Sequence, residues 1–229
     1  MATSNTTAFD MNFTEIAEEA WERAGREMRS GYDLRTARRS MNLLTIEWQN
    51  RGINLWTIEE KTLSLTSGTS QYTLPADTID LLEQAIRTNP GNTSTQSDLS
   101  ITRISVSTYA AISNKLSTGR PLQIFIERLV DAPRINLWPV PDSNDYTLAY
   151  WRMRRIEDAG NGVETADMNF RFLPCLVAGL AYQNAMKDPE LVSRLPMLKT
   201  EYEEQFELAA GEDRDKTSAS FTPRIIRVY

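Results

Sequence analysis

The chain has 229 residues, 41% of them hydrophobic, and carries 25 Lys and Arg against 31 Asp and Glu, for a formal net charge of −6. That is enough for one large domain, or one domain with an insertion, to bury a core without help from disulfides or metal. The acidic balance opposes a phosphate-neutralising role. The absence of any histidine removes the commonest general base and metal ligand, together with Ser-His and Cys-His nucleophile pairs and zinc sites of the Cys/His type.

The single cysteine, Cys175, rules out an intramolecular disulfide and fits assembly in a cytosol. The start, MATSNTTAFDMNF, has neither a basic cluster nor an apolar run, so no secretory leader is expected, and no stretch approaches the ~20 apolar residues of a membrane span. The sequons at Asn5, Asn12 and Asn92 are therefore chance matches.

After a polar start over Met1 to Asp10, Asn12 and Glu15 form a capping-box pattern. Phe13, Ile16, Ala17, Ala20, Ala24 and Met28 then share a helical face with Trp21 at its edge, and Ser30-Gly31 is the expected stop. Asp33 is a candidate cap for a second helix, whose core stripe is Leu34, Ala37, Met41, Leu44 and Trp48. Arg35, Arg38, Arg39, Asn42 and Glu47 lie off that stripe, and Gly52 should end the helix.

From about Leu63 to Ile156 the period changes to that of strands. Thr62 to Thr66 and Gln71 to Leu74 alternate, with Ser67-Gly68 between them, which predicts a hairpin closed by Pro75. Asn89 to Asp98 has the composition of a mobile surface loop. Ser105 should cap a short helix over Val106 to Ile112, and Asn114 to Pro121 forms another loop. Strands follow at Leu122–Arg128, Arg134–Trp138 and Tyr146–Ile156, with antiparallel pairing expected. Helical sequence returns after the Asp158–Gly162 linker. Pro174 fits the first turn of a helix to about Met186, with Leu173, Leu176, Val177, Leu180 and Ala181 inward. Asp188-Pro189 is a cap-and-start pair, and Pro196 marks a second start or a kink. Leu195, Leu198, Tyr202, Phe206 and Ala209 form the last stripe, with Lys199, Glu201, Glu203, Glu204 and Glu207 facing solvent.

The fold class this predicts is α+β: a small helical bundle with an inserted antiparallel β-rich part and an extended C-terminal arm. The expected boundaries are 1–57 and 161–213 for the two helical portions, 58–160 for the insertion and 214–229 for the arm. Lys216 to Tyr229 has no helical period yet ends apolar, and Ile225, Ile226, Val228 and Tyr229 free in water would invite aggregation. Either they complete this chain's own sheet, or they fold onto another subunit or partner.

No residue pattern selects a catalytic, cofactor or metal site. Cys175 lies in an apolar run and reads as a buried structural thiol. Glu201 to Glu207 reads as a solvated helix face, with lining of a ring as the minority option. Arg35, Arg38 and Arg39 read as partners for acids within the fold or between subunits, with nucleic-acid binding as the lesser reading, and Arg152, Arg154 and Arg155 as surface pairs or a docking patch. Trp48, Trp56, Trp138 and Trp151 look like core or interface anchors. Neither G-x-G-x-x-G nor a Walker A sequence occurs. The coherent enzyme alternative is a glycoside hydrolase acting on peptidoglycan, which needs only two carboxylates.

Several stretches together resemble the head-to-tail adaptors of short-tailed phages. They are RTARRSMNLLTIEWQNRGINLWTIEEKTLSL (Arg35 to Leu65), SQYTLPADTIDLLE (Ser70 to Glu83), INLWPVPDSNDYTLAYWRMRRIEDAG (Ile135 to Gly160), RFLPCLVAGLAYQNAMK (Arg171 to Lys187) and LKTEYEEQFELAAGEDRDK (Leu198 to Lys216). The resemblance implies a virion structural protein, assembled in the host cytoplasm, with twelve copies in a ring beneath the portal. The ring lengthens the DNA channel, passes genomic DNA without sequence-specific binding, and receives the tail nozzle or hub. No enzyme activity, cofactor or membrane contact is implied. Such adaptors grip the portal with a C-terminal extension. With the exposed apolar end in mind, Phe221, Arg224, Ile225, Ile226, Arg227, Val228 and Tyr229 are the expected portal contacts. The helices would form the ring wall, and the β-rich part would meet the next tail component.

Overall fold

The computed structural model describes Asn5 and residues 9–213; the expected arm, with Phe221, Arg224, Ile225, Ile226, Arg227, Val228 and Tyr229, lies outside these residues. The chain divides into two compact units. Among the described residues, one takes those up to Leu44 and those from Phe170 to Asp213, and the other takes Thr45–Asn169. The α+β class is thereby shown, with helices in the first unit and two four-stranded sheets in the second.

The helical unit begins with α1 (Phe13–Ala24), where Asn12 and Glu15 close the expected capping box: each side chain accepts the other's backbone N–H, at 2.9 and 3.0 Å. The helix stops six residues before the expected Ser30-Gly31. Gly25 takes φ 103°, a left-handed cap that a β-carbon would strain, and its N–H returns to the Trp21 and Glu22 carbonyls. Met28 therefore lies beyond the helix, while Trp21 is buried rather than at an edge. Gly31 instead opens α2 (Gly31–Asn50), where the Ser30 hydroxyl accepts from Asp33 N–H, so Asp33 sits in the first turn and is not the cap.

The centre of this unit is α4 (Leu173–Ala185), with Pro174 in its first turn and ten of its thirteen residues buried, Cys175 among them. It packs on α1 and on α5 (Leu195–Glu212). Between α4 and α5, Asp188 caps a 3-10 turn over Pro189–Arg194 by accepting from Glu190 N–H, where the sequence suggested a helix start. From α5, Leu198, Tyr202, Phe206 and Ala209 are buried as expected. Each large side chain so buried contributes about 1.5–3 kcal/mol. The close approach depends on Gly179. A β-carbon there would stand 2.8 Å from both Leu44 Cδ2 and Tyr202 Cε2, and Tyr202 is itself wedged between Tyr182 and Phe206.

In the β unit, β1 (Ile58–Ser64) follows a 3-10 turn at Leu55–Thr57. Then come β2 (Gln71–Thr73), β3 (Thr78–Thr88), β4 (Ser97–Ser100), β5 (Thr102–Ile104), α3 (Val106–Ala111, capped by Ser105 as expected), β6 (Gln123–Glu127), β7 (Arg134–Trp138) and β8 (Tyr146–Arg154). One sheet has the order β1-β8-β3-β4 and the other β2-β7-β6-β5. Pairing is antiparallel except between β5 and β6, which run parallel across the α3 crossover. Leu81, Ile86, Leu148 and Tyr150 from the first sheet share one core with Ile124, Ile126, Ile135 and Leu137 from the second.

The expected hairpin does not form. β1 pairs with β8 and β2 with β7, so Ser67-Gly68 carries the chain from one sheet to the other. Leu65, just past β1, and Leu74, just past β2, are both buried in the core shared by the two sheets. A second crossing, Pro139 to Asp145, runs beside the first and holds it: Gly68 N–H donates to the Pro141 carbonyl at 2.8 Å and Ser67 N–H to Asn144 Oδ1 at 2.8 Å.

Arg152, expected at the surface, is 4% exposed. Its guanidinium donates to Glu59 on β1 at 2.7 Å, to both oxygens of Asp77 at 2.6 and 2.8 Å, and to the Thr78 hydroxyl at the start of β3. Those hydrogen bonds hold the Asp77 carboxyl below its ordinary range. Two residues on, Arg154 grips Asp167 with two hydrogen bonds, and Asp167 is held low in the same way.

Two outcomes are expected. Gly179→Val forces Leu44 and Tyr202 apart and lowers stability in urea unfolding by about 2–3 kcal/mol, and adding Leu44→Ala recovers part of the loss. Arg152→Met strands Glu59 and Asp77 and costs about 2–3 kcal/mol, moderated because both carboxylates keep some water. Asp77 titrates lower in the folded than in the unfolded chain, so its stabilisation is present above about pH 4 and lost as pH falls through the lowered folded value. The wild type should lose stability over that acid range more steeply than Arg152→Met.

Candidate docking surface

The outward side of α2 carries the arginines singled out in the sequence. Arg35 and Arg39 are exposed and Arg38 is half-buried, and with Tyr32 they line a shallow groove of about 500 Å³. None of the three has a carboxylate within ion-pair reach among the described residues; Arg35 Nε donates only to the Gly31 carbonyl. Pairing within the fold, one of the two expected roles, is thus not what these residues do here.

Beside the groove lies a cleft of about 600 Å³, with Trp21, Tyr32, Thr36, Arg39, Leu43 and Lys187 among its lining. Its floor is an ionic cluster. Arg26 donates to Asp33 at 2.6 Å and to Asp188 at 2.7 Å, and its guanidinium lies 4.6 Å over the Trp21 ring. Burial works against the charge on Asp33, but the hydrogen bonds from Arg26 and from Arg29 N–H outweigh it, leaving the carboxyl below its usual range. Arg26 is held further into its charged form by the same Asp33 contact.

Lys187 differs. Its ammonium donates to the Ser40 hydroxyl at 2.6 Å and reaches the Thr36 carbonyl at 3.4 Å, with no acid partner among the described residues. Burial pushes its pKa down, and the charge of Arg39 adds to the shift. Trp21 Nε1, Arg26 Nε and Thr36 Oγ1, all on residues lining this cleft, are buried without a hydrogen-bond partner. The cleft therefore holds more donors than acceptors and more positive charge than it neutralises, a chemistry that suits a carboxylate from outside.

Sequence reasoning missed this cluster. Arg26 and Asp188 are 162 positions apart, and the only local signal was Asp33 and Asp188, both read as helix caps. The acidic run falls on α5 as expected: Glu203, Glu204 and Glu207 are exposed, whereas Glu201 is half-buried with its carboxylate 3.4 Å from Arg23. Of the tryptophans, Trp48 is core and Trp56 is fixed by a 2.9 Å hydrogen bond to the Asp167 carbonyl. Trp138 Nε1 reaches the Asn114 carbonyl at 3.0 Å, and Trp151 is partly exposed.

The carboxyls whose acidity shifts, Asp33, Asp77, Asp98, Glu164 and Asp167, are all held low. Among the described residues no helix is long and apolar enough to cross a membrane.

No curated protein matches the chain. The family model for the SU10 adaptor protein matches residues 11–227, which takes in both compact units. The chain belongs to the SU10 adaptor protein family and is a structural adaptor protein of a bacteriophage.

Proposed function

We propose that this protein forms the ring joining the portal to the tail nozzle or hub, with twelve copies surrounding and lengthening the DNA channel. The observation that carries the reading is the extent of the family match, which continues to residue 227 and so takes in most of the apolar C-terminal segment. In this reading the helical unit builds the ring wall, the β unit meets the next tail component, and genomic DNA passes without sequence-specific contact. The net charge of −6 suits a channel wall that repels a duplex rather than holding it.

The portal grip belongs to the C-terminal segment. Ordering a residue costs about 1–2 kcal/mol of backbone entropy, so the five residues Ile225 to Tyr229 cost about 5–10 kcal/mol to fix. Burying Ile225, Ile226, Val228 and Tyr229 returns about 6–12 kcal/mol. Covering all four apolar side chains offsets the cost of ordering, which in this reading makes these residues the anchor and Phe221, Arg224 and Arg227 its flanking contacts.

The protein mixed with its portal should add a ring of density beneath the portal in electron micrographs. Deleting Thr217–Tyr229 should leave a folded, soluble chain that fails to join portal, and deleting Ile225–Tyr229 alone should remove most of the binding. Normal assembly of the longer truncation would rule out the C-terminal grip.

A further inference from the structure

We infer that the basic outer face of α2, with the Lys187 cleft beside it, receives the acidic outer face of α5 from a second copy of this chain. The inference rests on the ring proposed above and names the surfaces that close it.

The two faces match in length and in pattern. On α2, Tyr32, Arg35, Arg39 and Leu43 recur at spacings of 3, 4 and 4, which places them on one side of the helix. Tyr32 and Leu43 are 62% and 63% exposed and bracket the arginines. On α5, Met197, Glu204 and Leu208 share one side, with Glu207 next to it. Met197 and Leu208 are 54% and 67% exposed. Each bracketing pair is 11 residues apart, about 16 Å along a helix. Basic charge between apolar ends on one helix thus meets acidic charge between apolar ends on the other. Apolar ends give such a contact burial, and the charges give it register and partner choice.

A second observation, independent of the exposed faces, comes from the cleft. Lys187 is partly buried without an acid, and buried Trp21 Nε1 and Thr36 Oγ1 are unpartnered on the lining of the same cleft. A glutamate arriving from outside supplies the acid that Lys187 lacks. Within the described residues α1 also shows acids, Glu15, Glu18 and Glu22, but that face carries no exposed large apolar residue, and Glu15 is occupied by the capping box. The match with α2 is therefore to α5. In the ring proposed above, α2 of each copy meets α5 of the next, a heterologous contact that propagates from copy to copy and closes by rotation.

The test reverses charges and then restores them. Arg35→Glu with Arg39→Glu, and separately Glu204→Arg with Glu207→Arg, should each reduce ring occupancy on portal, and self-association by sedimentation at high protein concentration, at least tenfold. An equimolar mixture of the two variants should recover assembly, because alternating copies set reversed α2 against reversed α5 and unreversed α2 against unreversed α5, with opposite charge at every contact. The chain carrying all four changes restores opposite charge at every contact and should recover most of the assembly. Lys187→Met should weaken association while leaving the thermal midpoint of the free protein unchanged or higher. Glu18→Lys with Glu22→Lys on α1 should leave assembly at the wild-type level. Raised salt should weaken wild-type association. Wild-type rings together with undiminished assembly of either double variant would overturn the α2–α5 contact and leave the ring standing. A wild type that neither self-associates nor forms rings on portal would overturn both.

Discussion

The β unit depends on the antiparallel pairing of its first strand with its last. From Ile58↔Met153 to Ser64↔Thr147, β1 and β8 run in unbroken register, so the chain begins and completes this unit on neighbouring strands. A segment of more than a hundred residues can interrupt a helical sequence only if its ends return close together, because a wide separation would pull apart the helices on either side. β8 then serves twice, pairing with β3 on its other edge, and the second sheet is laid over the first by the two adjacent crossings.

The helical unit meets a different constraint. A helix as apolar as α4 must be covered on most of its circumference, and Gly179 lets both Leu44 of α2 and Tyr202 of α5 come close enough to do so. With α1, α2 and α5 spent on covering α4, each retains an outer face, and those faces are where the unbalanced charge collects: arginines on α2 and glutamates on α5. An adaptor has little else to work with, since its chemistry is association. Balanced charge inside and unbalanced charge outside is the arrangement that association requires.

Much of this was legible in local pattern. The capping box at Asn12, the stripe Ala37–Met41–Leu44–Trp48, Pro174 in a first turn and β7 at Arg134–Trp138 all follow from side chains acting within one turn or one strand. The longest strand, β3, was missed, because register shifts near Asp80 and Glu83 break the alternation that would have marked it. The false hairpin had the right strands and the right turn residues. What decided against it was the burial of Leu65 and Leu74 in a core shared by two sheets, which no window of ten residues contains. The docking surface divides in the same way. The arginines of α2 stood out by composition, whereas the Arg26–Asp33–Asp188 cluster and the uncompensated Lys187 exist only once α2 and the end of α4 are brought together.

The register of β1 against β8 also has a mechanical consequence. The two connections of the β unit leave from adjacent ends of paired strands, so tension between them would open the ladder rung by rung, like a zip, rather than shear many hydrogen bonds at once. Unzipping is the weaker geometry. The Glu59–Arg152 pair lies on the second rung from that end, and the same guanidinium reaches across to Asp77 and Thr78 on the far side of β8. Arg152 thus works as a clasp on three strands at the place where tearing would begin.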